Sequence, residues 1–156
     1  MTGSSEYLRE PHETLQEIVA RLDPILNPHG FHFDTEYNAV SSSGPFENGH
    51  YERSPIRIGL IVRGTHLGCP IYEYGKHHIG HNELLEHLGR AEDALLRFDE
   101  RLDKRELVTK DGRDVVDALV ADIEDIILPT ILDDRKSFKK AVKAAHRKNL
   151  AEMGIK

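Results

Sequence analysis

Histidine is the residue type in this chain that most invites a chemical reading. Ten histidines occur in 156 residues, and five of them fall between His66 and His87. His77, His78 and His81 stand close together, with Glu83, Glu86 and His87 just beyond. Imidazoles and carboxylates are the usual ligands of zinc and similar divalent ions, which need three or four such groups converging on one point. If the chain turns at Gly80, His78 and His81 can face one another, and Glu83 or His87, with His77 nearby, can complete a site. A metal-assisted hydrolase is then the enzymatic alternative. The spacing matches no helical HExxH pattern, and His81 and His87 point in different directions on a helix. The plainer expectation is a polar turn with a capping histidine at 81 and no resident cofactor.

A second set of residues is basic. Arg57 and Arg63 share a parity in an alternating stretch, and Arg53, Tyr72 and Glu73 fall on its expected neighbours. Guanidiniums and a tyrosine on a rigid sheet suit an anionic ligand or an acidic protein partner. Cross-strand Arg–Glu pairs on a wet face are the plainer account, each contributing about 0.2–1 kcal/mol.

The third set is terminal. Arg135, Lys136, Lys139, Lys140, Lys143, Arg147 and Lys148 fall on one expected helix. Such a stripe can bind phosphates. It carries no interleaved aromatics, however, and no reader motif accompanies it. The segment before it holds Asp114, Asp117, Asp122 and Asp125, so antiparallel packing would set acid beside base within the molecule. Nucleophilic catalysis has little to recommend it. Ser41, Ser42 and Ser43 lack a nucleophile-elbow pattern, and a lone Cys69 reads as a small filler more readily than as a nucleophile. No GxGxxG or GxxxxGKS sequence is present, which argues against dinucleotide-binding and nucleotide-hydrolysing classes.

The elements that must position these groups follow from composition and period. At 38% hydrophobic and 31% charged residues, a chain of this length suggests one domain. One cysteine supports neither an internal disulfide nor a cysteine-built zinc site. Without a run of 18 apolar residues or a signal-like apolar core at the start, a soluble cytoplasmic protein is expected. The charge is uneven: residues 1–132 carry 13 Lys+Arg and 24 Asp+Glu, whereas residues 133–156 carry 8 and 3.

Residues 1–10 are expected to be a flexible arm and 11–156 a single domain. A first helix begins near Pro11, with Leu15, Ile18, Val19, Leu22 and Ile25 or Leu26 on one face. Pro28 and Gly30 stop it. The period then changes to two. Phe31, Phe33, Thr35, Tyr37 and Ala39 alternate with polar residues, a second strand runs through Phe46–Arg53, and Ser54-Pro55 turns the chain. Ile56, Ile58, Leu60 and Val62 share the apolar face of a third strand, and Ile71–Tyr74 form a fourth. Short connections favour an antiparallel meander.

The remainder reads as helical. One helix starts at Gly80–Glu83, and a break at Gly89 is preferred before a stripe of Ala91, Leu95, Phe98 and Leu102. Another helix is capped by Asp111 and ended by Pro129. The basic helix, about 133–152, carries Phe138, Val142 and Ala145 inward. The expected fold is α+β, with a four-stranded antiparallel meander covered on one face by an N-terminal helix and three or four C-terminal helices.

The run Ser42-Ser43-Gly44-Pro45-Phe46-Glu47-Asn48-Gly49-His50-Tyr51-Glu52-Arg53 resembles a pattern found in a family of small bacterial proteins without an established activity. Leu67-Gly68…Tyr72 and His81-Asn82-Glu83-Leu84-Leu85-Glu86-His87-Leu88-Gly89 continue the resemblance over roughly residues 30–89. It implies no activity and transfers no catalytic residue. The leading expectation is a small non-catalytic binding protein, of immunity or regulatory type, whose partner is another protein. Nucleic acid bound through the basic helix is a further alternative.

Overall fold

The computed structural model describes residues 11–41, 44–63, 66–98 and 107–154. Helix α1 (Pro11–Leu26) is followed by one 3₁₀ turn. Six strands then form one antiparallel sheet: β1 (His32–Ser41), β2 (Gly44–Arg53), β3 (Ile56–Arg63), β4 (His66–Leu67), β5 (Ile71–Tyr74) and β6 (His77–Gly80). Their order is β1-β2-β3-β5-β6, with the short β4 paired to one end of β3. The α+β class and the antiparallel meander are as expected, but the sheet is larger than the four strands read from the sequence. His77–Gly80 read as a polar turn because only Ile79 in it is apolar. Pairing to β5 across the Gly75-Lys76 turn makes it an edge strand.

The alternation of β3 follows the expected pattern: Ile56, Ile58, Leu60 and Val62 are buried while their neighbours face outward. The registers align Phe33, Tyr51, Ile58, Tyr72 and Ile79 as one row across five strands. Four members of that row are fully buried, with Phe33 packed against them. Helix α1 lies over β1–β3 with Leu15, Ile18, Leu22 and Leu26 buried, as its period requires. Burying a side chain of this size contributes roughly 1.5–3 kcal/mol.

Gly49 is demanded by close approach. A Cβ there would stand 2.5 Å from the Phe33 ring and 2.7 Å from the Asp34 carbonyl. A β-bulge lies opposite Gly49 on β1, between Thr35 and Tyr37.

After β6 come α2 (His81–His87), β7 (Leu96–Phe98), β8 (Leu107–Thr109), α3 (Val115–Asp122), a π-helical turn (Ile123–Ile127), α4 (Leu128–Asp133) and α5 (Arg135–Glu152). The break at Gly89 is present, at φ +73, a conformation only glycine adopts freely. The helical stripe expected beyond it is replaced by a two-stranded sheet, β7 with β8. Leu102 lies outside the described residues. Asp114, not Asp111, caps α3 by accepting from the Val116 N–H at 3.1 Å. Nor does Pro129 end the helical run. The Leu128 N–H reaches back to the Ile123 carbonyl, and this wider turn accommodates a proline that a regular ladder rejects. Asp134 caps α5, whose Phe138, Ala141, Val142 and Ala145 are buried over β5 and β6. The arm expected over residues 1–10 lies outside the described residues.

Candidate functional site: a basic flank beside the sheet edge

The histidines do different things in different places. His81, the first residue of α2, is fully buried. Its Nδ1 is 2.7 Å from the Tyr72 hydroxyl and its Nε2 is 2.8 Å from Asp122 Oδ2. Asp122 also accepts the Leu95 N–H at 2.9 Å and the Leu96 N–H at 3.0 Å. A carboxylate accepting from every neighbour assigns the ring proton to Nε2, which leaves Nδ1 to accept from Tyr72. Burial first, then the nearby Asp122 and Cys69, hold the Tyr72 phenol protonated well above its ordinary range. Four elements, β5, α2, β7 and α3, are joined in a closed network. Both imidazole nitrogens are occupied, so a metal drawing on His81 would first have to break this network.

The remaining histidines of that cluster and Glu83 are dispersed. Glu83 and His87 are exposed on α2, where His87 Nδ1 lies 3.0 Å from the Glu83 carbonyl. His77 and His78 take opposite faces of β6. They meet His146 of α5 at ring-centroid separations of 5.2 and 4.7 Å. Among the described residues, no three His, Cys, Asp or Glu side chains are grouped to hold a metal ion. Cys69 is partly buried, and burial pushes its thiol above the ordinary value against the lowering effect of the His81 N–H. A protonated thiol is a poor nucleophile.

The arginine set divides. Arg57, Arg63 and Glu73 lie on the face of the sheet turned away from the core, as their parity predicts. Tyr72 does not: it belongs to the buried row. Arg53 shares the core-side parity but sits exposed at the end of β2, beside Gly30. A one-residue step in a strand reverses the face, and the sequence alone left the choice between Tyr72 and Glu73 open. On the outer face Arg57 Nε donates to Glu52 at 2.8 Å, and the Arg63 guanidinium stands 5.3 Å from the centre of the Phe46 ring.

Helix α5 is different. From Arg135 to Lys148 it carries seven Lys and Arg and no acidic residue. Among the described residues, none of these cations joins an ion pair. The expected pairing with the acids of α3 is not made: Asp117 binds Arg21 at 2.5 Å, Asp114 caps its own helix, and Asp122 is committed to His81. A groove of about 630 Å³ beside that ion pair has a second one on its wall, Arg113–Asp111 at 2.6 Å.

Sequence reasoning missed the aromatics of this flank because they come from another element. Tyr74 of β5 has Arg135 5.7 Å and Lys139 5.3 Å from its ring centre, and it packs on Phe138. One hairpin further along, His77 lies beside His146, Lys143 and Arg147. Reduced hydration first, and then those positive neighbours, push its imidazole below the ordinary value. Cations at 135, 139, 143 and 147 therefore run along a line bordered by Tyr74, His77 and His78.

Comparison with protein-family models, with curated proteins and with solved structures finds no match. Among the described residues, no helix is long and apolar enough to cross a membrane.

Proposed function

We propose that the protein is a non-catalytic binding protein whose basic flank, α5 with the adjoining β5–β6 hairpin, receives an anionic macromolecule. One contrast carries the reading. Four arginines elsewhere are paired, Arg21 with Asp117, Arg57 with Glu52, Arg90 with Asp93 and Arg113 with Asp111. The α5 cations have no such partner among the described residues. A row of unneutralised charge on a chain of formal net charge −6 concentrates potential locally and attracts anions although the molecule as a whole is acidic.

Retention on immobilised heparin at about 50 mM salt tests this directly, since net-negative proteins ordinarily pass through while a local cationic row is held by counterion release. The wild type is expected to bind, and a triple Lys139→Glu, Lys143→Glu, Arg147→Glu variant to flow through. Wild-type protein in the flow-through would end the proposal.

A further inference from the structure

We infer that the basic flank is proton-gated: His77, His78 and His146 take up protons when an anion binds there, so binding tightens as the pH falls. The inference rests on the basic-flank reading and adds its regulation, whichever polyanion the flank receives. Imidazole is the side chain that changes charge between about pH 5 and 8. Three of them form one contact cluster where α5 meets the edge strand. The His146 ring stands 5.2 Å from the His77 ring and 4.7 Å from the His78 ring, centre to centre. Its Nδ1 also engages the His78 backbone.

The cluster lies within the cationic row. Reduced hydration first, then His146, Lys143 and Arg147 of α5, hold the His77 imidazole below its ordinary value, and a backbone hydrogen bond at Tyr74 works the other way. On β5, Glu73 stands opposite His78 in the register. From α2, which also packs on α5, come Glu83, Glu86 and His87, all exposed. Helix α4 meets α5 at its start, where Asp133 and Asp134 lie about 18–20 Å along the axis from His146. The charges that weigh most on His77 are therefore positive. An anion seated on Lys143 and Arg147 neutralises them, and the imidazole gains a proton. By linkage, protonation of the cluster strengthens anion binding by the same factor. Lysine and arginine titrate far above neutrality, so a flank built of these alone would bind equally across the histidine range.

Isothermal titration calorimetry with dextran sulfate, whose sulfate esters keep their charge throughout, isolates the protein's own protons. At about 50 mM salt we expect affinity to be about tenfold higher at about pH 5.5 than at about pH 7.5, an average uptake of about half a proton. Titrating in two buffers of different ionisation enthalpy counts that uptake directly. In a triple His77→Gln, His78→Gln, His146→Gln variant the uptake and the pH dependence should vanish. His77→Gln alone, which leaves the His146–His78 contact in place, should lose part of both, so the result does not hang on the triple variant folding. Histidines elsewhere stay in both variants and serve as the internal control. Wild-type binding that takes up no proton and is flat with pH, or a pH dependence that both variants keep, overturns the proton gate and leaves the basic-flank reading standing. No binding of dextran sulfate at either pH overturns both.

Discussion

His146 Nδ1 stands 3.1 Å from the carbonyl oxygen and 3.3 Å from the amide nitrogen of His78. A side chain of the C-terminal helix thereby engages the outer backbone of the sheet's edge strand. A protonated Nδ1 donates to the carbonyl, and an unprotonated one accepts from the N–H, so either tautomer makes one bond. Edge strands otherwise offer unpaired backbone groups to other chains.

His146→Ala removes that bond. The cost should be no more than about 1 kcal/mol, as befits an exposed hydrogen bond. Its signature is local: the His78 amide should exchange with solvent faster, while amides in β3 keep their protection. Unchanged exchange at His78 would show that the contact does not guard the edge.

The buried network predicts a much larger effect. Asp122→Ala leaves the His81 ring and the Leu95 and Leu96 amides without their acceptor, in a site with no water-facing side. A loss of about 3–5 kcal/mol is expected in urea unfolding. Tyr72→Phe removes one donor to His81 and should cost about 1–3 kcal/mol. A loss below about 1 kcal/mol for Asp122→Ala would contradict the network as drawn.

Gly49→Ala should destabilise by about 1–3 kcal/mol, because the added methyl meets the Phe33 ring and the Asp34 backbone and the core is already filled. The same substitution at Gly75, where a Cβ meets nothing within 4 Å, is strained by its φ of +61 alone. Thermal melts of the two variants separate crowding from backbone strain.

Stability should depend on pH at both ends of the range. His77 titrates below its ordinary value in the folded chain. As pH falls below about 6.5 the unfolded state takes up the proton first, so this group's effect is a loss of stability on acidification that levels off below its folded value. His77→Gln should flatten that slope. Tyr51, buried and bonded to Asp23 at 2.8 Å, and Tyr72 both titrate above their ordinary value. Their contribution is complete below about pH 10 and is lost as the unfolded chain ionises above it. Tyr51→Phe should reduce the alkaline loss, as read from urea midpoints across pH.

Elements whose period is carried by their own residues are legible before folding. The alternation of Ile56, Ile58, Leu60 and Val62, the stripe of α1, the stop at Gly89 and the inward Phe138, Val142 and Ala145 are local patterns, and burial of an apolar face requires them. Tertiary structure decided what local pattern cannot carry. His77–Gly80 became a strand because β5 offered it a ladder, and residues 96–98 and 107–109 paired with each other instead of continuing a helix. The candidate site follows the same division. The cations of α5 were visible as a charge run, but their freedom from the α3 acids depended on where Arg21 and His81 lie in space. The rings beside them were supplied by a hairpin some sixty residues earlier in the chain. Hydrogen bonds and stacking act over a few ångströms, and only folding brings residues distant in sequence within that reach.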